Sequence, residues 1–322
     1  MWHSLVLRGA QALASSPDTA PPAARCHPRN TGNAADRPGP LRERASRRED
    51  AARSFFYAAP VALREQDRHG TFMAHTPPTI FSRRQAAAKW ARARSRQERA
   101  GSANYLVEAM ADDVIERLEF MRHEIGSALV IGDVTGRLPA WLARQGVEGK
   151  IGLLGEFDEE QPGSSETFDL IVHLLGLGVV NDLPGALIHA RDALKPGGLF
   201  IAAFPGAGSQ PVLRELMLAA DGDRPAARMH PLVDNRAATG LLQRAGFSRQ
   251  VVDSYPVKVR YSSLERMIAD LRDHGLTRSL ASAVPPLTRE AWQRALRAFA
   301  GMRDGDGKVA ETFEILVLTG WK

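Results

Sequence analysis

The stretch of residues 168–204 constrains the fold of this chain more than any other part of the sequence. It contains two apolar runs, FDLIV and LFIAAF, which are separated by a segment with helical periodicity. Continuous apolar strands of this kind are typical of a parallel sheet that is covered on both faces. The stretch therefore predicts a βαβ unit, in which a crossover helix joins two parallel strands.

The crossover helix is predicted over residues 183–194, where four apolar residues recur at helical spacing: Leu183, Leu187, Ala190 and Leu194. Asp182 precedes the helix and can cap the amides of its first turn. A Lys-Pro-Gly-Gly run follows it. This run ends the helix, because proline cannot continue the hydrogen-bonding pattern and glycine accepts a left-handed turn.

Composition limits the class of protein. Hydrophobic residues make up 44% of the 322 residues, enough for a sizeable core, and no apolar run is long enough to span a membrane. Residues 1–72 carry +4 of the net charge of +5, and the near-neutral remainder argues against nucleic-acid binding, which needs a basic face. The single cysteine, Cys26, excludes an intramolecular disulfide and a cysteine-rich metal site, and it favours a reducing compartment such as the cytoplasm.

Residues 1–72 have the composition of a disordered segment, with few apolar residues at regular spacing. A secretory signal is disfavoured because Arg8 interrupts the short apolar run LVL. Residues 1–30 are compatible with a mitochondrial transit peptide, which would place the protein in the matrix, since they hold three arginines and one acidic residue. We favour a third interpretation, in which this stretch is not translated and Met73 is the start.

The rest of the chain divides into N-terminal helices over residues 73–126 and a main domain over residues 127–322. Residues 80–99 are basic, rich in alanine and predicted to be helical. This helix is either a solvated element or a lid or docking arm for an acidic partner. Residues 104–121 predict a second helix with one apolar stripe that faces the core.

The C-terminal half predicts further helices and two strands. The predicted helices span residues 212–220, 235–245, 263–274 and 288–302, and the predicted strands span residues 248–261 and 312–318. The last strand is almost wholly apolar, so we expect it to be central in the sheet. Four scattered histidines are interpreted as structural, and we predict no metal site because no pair of them has metal-ligand spacing: His173, His189, His230 and His274.

The first candidate ligand loop follows the short apolar run ALVI. The loop reads Gly132-Asp133-Val134-Thr135-Gly136 and leads into a predicted helix. A strand, a glycine-bearing turn and a helix in this order present the first ligand loop of a doubly wound sheet. Residues 150–154 predict the next strand. Glu156 follows it, 20 residues after Gly136, where an acidic residue commonly holds a ribose hydroxyl; the alternative is a solvated acidic loop.

Several stretches resemble one known family. They include IFSRR at 80–84, LKPGGLF at 194–200, HPLVDNRAATGLLQRAGF at 230–247 and ETFEILVLTGW at 311–321. The chain resembles class I S-adenosylmethionine (SAM)-dependent methyltransferases, and is similar within them to the complex I assembly factor 5 family and the biotin-synthesis methyltransferases. The resemblance implies an α/β, Rossmann-like, doubly wound and mostly parallel sheet. It also implies SAM as the cofactor, bound by six residues: Gly132, Asp133, Thr135, Gly136, Glu156 and Leu174.

The chain departs from the family pattern at the first loop. The family motif resembles D-L-G-C-G-R-G, whereas here Val130 replaces the acidic residue and Val134 the middle glycine. We expect Val134 at positive φ, which would strain the backbone by about 1–2 kcal/mol and weaken cofactor binding about tenfold. We also expect its side chain to fill space above the turn.

Two further departures lie downstream. Gly178-Val179 replace a His-Trp pair. The interval between Gly136 and Phe168 is too short for the third strand of the class, so we expect a truncated sheet edge. We expect residues 262–303 to form a helical insert between the last two strands that caps the C-terminal edge of the sheet.

Two functions follow from these features. The first is a SAM-dependent methyltransferase acting on a protein partner or a small acidic substrate, in the setting of respiratory complex assembly. Methyl transfer depends mainly on orientation of the reacting groups, so the sequence identifies no catalytic residue. The second is a pseudoenzyme, which keeps the fold to bind a partner and no longer binds SAM.

Overall fold

The computed structural model describes residues 79–322; the predictions for residues 1–72, including the transit peptide and the start at Met73, lie outside this range. The described helices are α1 (Arg83–Gln97), α2 (Tyr105–Met121), α3 (Arg137–Arg144), α4 (Leu183–Ala193), α5 (Pro211–Asp221), α6 (Asn235–Arg244), α7 (Leu264–Asp273) and α8 (Arg289–Gly301). The strands are β1 (Ser127–Ile131), β2 (Glu148–Gly152), β3 (Phe168–Leu174), β4 (Leu194–Pro205), β5 (Ser248–Tyr261) and β6 (Val309–Trp321).

The strands form one six-stranded sheet in the order β2-β1-β3-β4-β6-β5. The pairs β1–β2, β1–β3 and β3–β4 are parallel, whereas β6 runs antiparallel to both β4 and β5. Sequential strands lie on either side of β1, which is the arrangement of a doubly wound sheet. The predicted α/β, Rossmann-like and mostly parallel fold is therefore confirmed.

The βαβ unit forms as predicted. The Asp182 carboxylate accepts a hydrogen bond from the Gly185 amide at 2.9 Å and caps α4. The helix ends at Ala193, one residue before the predicted end, because Leu194 already belongs to β4. β4 lies in the middle of the core, and its residues from Leu199 to Phe204 are fully buried. Burial on both faces explains why these residues are continuously apolar.

Within residues 79–322 the sheet ends at β2, without the seventh strand of the class. Residues 153–167 form neither helix nor strand. They are polar and mostly exposed, and therefore supply no apolar face for a further strand. β2 itself begins two residues before the predicted position and ends at Gly152. Leu154, predicted to lie in the strand, instead turns away from it and is buried.

The C-terminal half encloses the other side of the sheet. β6 lies between β4 and β5, which confirms its predicted central position. The helical insert between β5 and β6 contains α7 and α8; α7 packs against α1, and α8 packs against α5. Through α7, the insert reaches the region above the carboxyl ends of the parallel strands, where ligands bind in folds of this type.

Candidate functional site

The loop after β1 passes close to the end of β3. Gly132 has φ of +87°, and a Cβ atom built on it would lie 2.2 Å from the carbonyl oxygen of Leu174. No side chain fits at that separation, so glycine allows the two strand ends to meet. The structure thus brings together two residues predicted to bind the cofactor, Gly132 and Leu174.

Asp133 organises the rest of this loop. Its side chain is buried, and its carboxylate accepts hydrogen bonds from the amides of Thr135 at 2.9 Å, Gly136 at 3.2 Å and Leu138 at 2.8 Å. These amides include the free donors at the start of α3, which are the groups that bind anions in related turns. In this chain an internal carboxylate satisfies them.

The conformation of Val134 corrects one prediction. Five of the described non-glycine residues have positive φ, and Val134 is not one of them. The prediction that Val134 strains the backbone is therefore wrong. In this turn the residues with left-handed conformation are Gly132 and Gly136. The Val134 side chain is 41% exposed and lines the space above the loop, where it reduces the room for a ligand.

The space above the loop is small. The cavity there has a volume of about 30 Å³. This is room for about one water molecule, whereas pockets for ligands of cofactor size measure roughly 300–1,000 Å³. Its lining comes from the loop, the segment after β2, α1, and the end of α7: Gly132, Asp133, Val134, Leu154, Trp90, Arg94, Gln97, Asp273 and His274. In this arrangement the residues do not accommodate SAM.

Helix α1 covers the cavity. Arg94 donates a hydrogen bond from Nη1 to the Leu154 carbonyl oxygen at 2.6 Å and forms an ion pair with Glu156. A Cβ atom on Gly155 would lie 2.8 Å from the Cα atom of Ala87, so the helix backbone rests directly on the loop after β2. The interpretation of α1 as a fully solvated helix is wrong, because Trp90 and its neighbours on one face are buried. Glu156, predicted to hold a ribose, is engaged by Arg94 here.

A larger cavity of about 370 Å³ lies beside α1, at the carboxyl ends of β2 and β3. The acidic segment that follows β2 and the short 3-10 helix Gly176–Val179 form two of its walls. Three lining residues form ion pairs with one another: Arg83 pairs with Asp158 at 2.5 Å and with Glu160 at 3.0 Å. The lining residues carry more carboxylates than arginines, which gives the cavity an acidic character.

His274 contributes a polar ring to the small cavity. It is 2% exposed, and within the described part of the chain neither ring nitrogen has a hydrogen-bond partner. Its ring packs edge-on against Tyr105, with centroids 4.6 Å apart. Burial lowers the pKa of His274 to about 4, against the opposing effect of the neighbouring Asp273 carboxylate. The ring is therefore neutral at physiological pH. The sequence indicates only a structural histidine here.

We expect this buried ring to make stability depend on pH. In the unfolded chain His274 titrates near its ordinary pKa of about 6.5, so the unfolded state binds a proton that the folded state excludes. The contribution of the neutral His274 ring to the free energy of unfolding is fully present above pH 6.5 and is lost as the pH falls towards 4. Between about pH 7 and pH 5, wild type should lose about 2 kcal/mol more unfolding free energy than His274→Phe. Urea denaturation at both pH values measures this; equal losses would contradict it.

The family of the chain follows from comparison with known proteins. A methyltransferase domain family matches residues 82–251, which include α1, the first loop, Glu156 and the β3–α4–β4 unit. The chain belongs to this family. Membership supports the cofactor predicted from the sequence, SAM, and it confirms the resemblance to class I methyltransferases.

Individual relatives are similar over part of their length. The chain is 30% identical over 224 residues to arginine-hydroxylase NDUFAF5 of Danio rerio, which covers 68% of this chain and 65% of that protein. It is 34% identical over 170 residues to the human protein of the same name, and the match covers 51% of this chain and 49% of that protein. It is 26% identical to a malonyl-[acyl-carrier protein] O-methyltransferase of Coxiella burnetii, which covers 65% and 78%. The chain thus spans 65% of the Danio rerio protein and about half of the human one.

Among solved structures, the YcgJ protein of Bacillus subtilis aligns with a TM-score of 0.40 and 12% identity, over 64% of this chain and 96% of that one. The helices within residues 79–322 include none that is long and apolar enough to cross a membrane.

Proposed function

We propose that this protein is a SAM-dependent methyltransferase whose substrate is a protein partner. The family match carries the proposal, because it covers both loops that line the small cavity and the acidic segment beside the larger one. The loop from Gly132 to Gly136, together with Leu174 and Glu156, would hold the cofactor. For that role, the cavity above the loop would have to be larger than the present volume of about 30 Å³, which α1 and Val134 limit.

The larger cavity is the proposed acceptor site. Its volume of about 370 Å³ falls in the range of ligand sites, and it lies at the carboxyl ends of β2 and β3. Four carboxylates line it: Glu156, Asp158, Glu159 and Glu160. These carboxylates have partners in the chain, among them Arg83 and Arg94. A basic acceptor that takes the place of these arginines would pair with the carboxylates, whereas a small acidic substrate would be repelled by them. The names of the NDUFAF5 relatives, which specify arginine, accord with a basic acceptor.

The setting of respiratory complex assembly belongs to the same proposal and derives from the resemblance to the assembly factors. The NDUFAF5 relatives are mitochondrial by name. For this chain we propose the cytoplasm, with the mitochondrial matrix as the alternative if residues 1–30 act as a transit peptide.

One observation favours the second function, a pseudoenzyme that binds a partner without SAM. The cavity above the first loop measures about 30 Å³. In a protein that no longer binds SAM, selection would not maintain a cavity of cofactor size above the loop. The two functions differ in a single measurable property, the affinity for SAM.

Calorimetric titration with SAM up to about 1 mM distinguishes the two functions, since a dissociation constant of that size corresponds to only about 4 kcal/mol. We expect weak binding by wild type and about tenfold tighter binding by Val134→Ala, because removing two methyl groups relieves overpacking in the ligand space. Val251→Ala is the matched control, because Val251 is similarly exposed, on β5. Absence of binding in wild type and in every variant would reject the methyltransferase and leave the pseudoenzyme.

A further inference from the structure

The larger cavity contains one carboxylate that no arginine neutralises. Arginines of α1 pair with three of the four carboxylates that line it, which are Glu156, Asp158 and Glu160. Within residues 79–322 the fourth, Glu159, has no ion-pair partner except His173. Only 16% of the Glu159 side chain is exposed, so water weakens an ion pair with it less than one at the open surface. A cation in the cavity can therefore pair with Glu159 without displacing an arginine.

His173 holds Glu159 in place. Its Nε2 atom lies 3.1 Å from Oε1 of Glu159, and Nε2 is the donor because an ionised carboxylate only accepts. His173 is the next-to-last residue of β3 and is buried, so the sheet fixes the position of its ring. Gly176 leaves room for the pair, because a Cβ atom there would lie 2.5 Å from Cε1 of His173 and 3.1 Å from Oε1 of Glu159. The hydrogen bond thus orients a carboxylate that belongs to an irregular segment.

The second carboxylate oxygen of Glu159 remains available to a ligand. Among the described residues Oε2 accepts no hydrogen bond, and Glu159 lines the cavity. A mostly buried charge is stable only when it is paired, so this oxygen calls for a further partner. Phe157 lines the same cavity and is 37% exposed. An aromatic ring and a carboxylate together favour an organic cation, since the ring face attracts the cation and the carboxylate neutralises it.

We propose that Glu159 binds the cationic side chain of a protein segment in the larger cavity, and that His173 is the residue that positions Glu159. The inference deepens the proposed function and rests on its acceptor site, because the cavity is the same. It assigns the contact to one of the four carboxylates. The cavity of about 370 Å³ has room for a lysine or arginine side chain with α1 in its present place.

The first test measures the binding of capped tripeptides to the full chain by calorimetric titration without SAM. The central residue of the peptide is arginine, lysine or citrulline, and citrulline has nearly the shape of arginine without its charge. We expect a cationic peptide to bind about tenfold more tightly than the citrulline peptide. Glu159→Gln should lower the affinity for the cationic peptide about tenfold, because it removes the charge and keeps an acceptor for His173. Unchanged affinity in Glu159→Gln, or no preference for a cation, would overturn the assignment.

Two further variants remove one negative charge elsewhere. Glu148→Gln lies on β2, outside the lining of the cavity, and should leave the affinity unchanged. Asp158→Asn removes a carboxylate of the cavity that Arg83 already neutralises, and should change the affinity less than about threefold. If Asp158→Asn weakened binding as much as Glu159→Gln, the carboxylates would act together and the assignment to Glu159 would be overturned.

The positioning role of His173 is tested by two replacements. His173→Phe keeps a ring but removes the donor to Glu159, and should weaken binding of the cationic peptide about fivefold. His173→Gln carries an amide donor and should restore most of the affinity. Melting temperatures of both variants are measured in parallel. Lower melting temperatures together with wild-type affinity in both variants would show that His173 is only structural and would overturn its role.

Gly176→Ala tests the same pair without changing either member. Its methyl group would displace the His173 ring and the Glu159 carboxylate from their present positions. We expect weaker binding of the cationic peptide, by about as much as in His173→Phe. A folded Gly176→Ala variant with wild-type affinity would show that the geometry of the pair does not matter for binding, and would overturn the positioning role.

The failure of this inference differs from that of the proposed function, because these titrations contain no SAM. If SAM bound but Glu159→Gln kept the wild-type affinity for the cationic peptide, the inference would be overturned and the methyltransferase would stand. If no form bound SAM but the peptide bound through Glu159, the methyltransferase would be rejected and the cation site would stand.

Discussion

Gly132→Ala should lose at least about 3 kcal/mol of unfolding free energy. The new methyl group would lie 2.2 Å from the Leu174 carbonyl oxygen and 3.4 Å from the Leu154 side chain. The first contact is with backbone at the end of β3, which cannot move without disturbing the pairing of Leu174 with Ala203 of β4. Positive φ adds about 1–2 kcal/mol of strain. Urea denaturation followed by circular dichroism measures the loss.

Gly136→Ala is the matched control. Gly136 also has positive φ, at +70°, but a Cβ atom there meets nothing within 4 Å. Its substitution should cost only the strain, about 1 kcal/mol. The difference between the two variants therefore measures the close approach of the β1 loop to β3. Similar losses in both variants would show that this approach does not constrain the loop.

Asp133→Ala should have the second largest effect, a loss of about 3 kcal/mol. The substitution leaves the amides of Thr135, Gly136 and Leu138 without their acceptor, and a buried donor without a partner costs about 1–3 kcal/mol. The bonds to the Thr135 and Gly136 amides are only partly buried, so water can replace the carboxylate there, which keeps the total below the sum of the separate costs. Thermal and urea denaturation of purified variants measure the loss.

Two control variants sharpen this result. Asp133→Asn keeps one acceptor oxygen and should lose about half as much. Asp112→Ala removes an exposed carboxylate that pairs with Arg137 at 2.7 Å, and an exposed pair contributes less than about 1 kcal/mol. If Asp133→Ala were no more harmful than Asp112→Ala, the buried carboxylate would not hold the loop together.

The predicted functional residues occupy one region of the fold but do not form an open site. Gly132, Asp133 and Leu174 lie together at the ends of β1 and β3, as the strand-turn-helix pattern predicts. Glu156 lies near them, yet its partner is Arg94. The sequence showed that α1 was basic and helical but not which face would dock. Only its alanine-rich composition and the single Trp90 signalled a buried face.

The sequence by itself determined the order of the elements, the parallel βαβ unit, the central position of β6 and the missing edge strand. These features depend on periodicity, caps and interval lengths, which act between residues close together in the chain. The tertiary structure alone decided the backbone conformation of Val134, the position of α1 over the first loop and the placement of both His274 and Gly132 in the lining of the small cavity. Such contacts join distant residues, and their formation depends on the packing of whole elements, which local patterns do not specify.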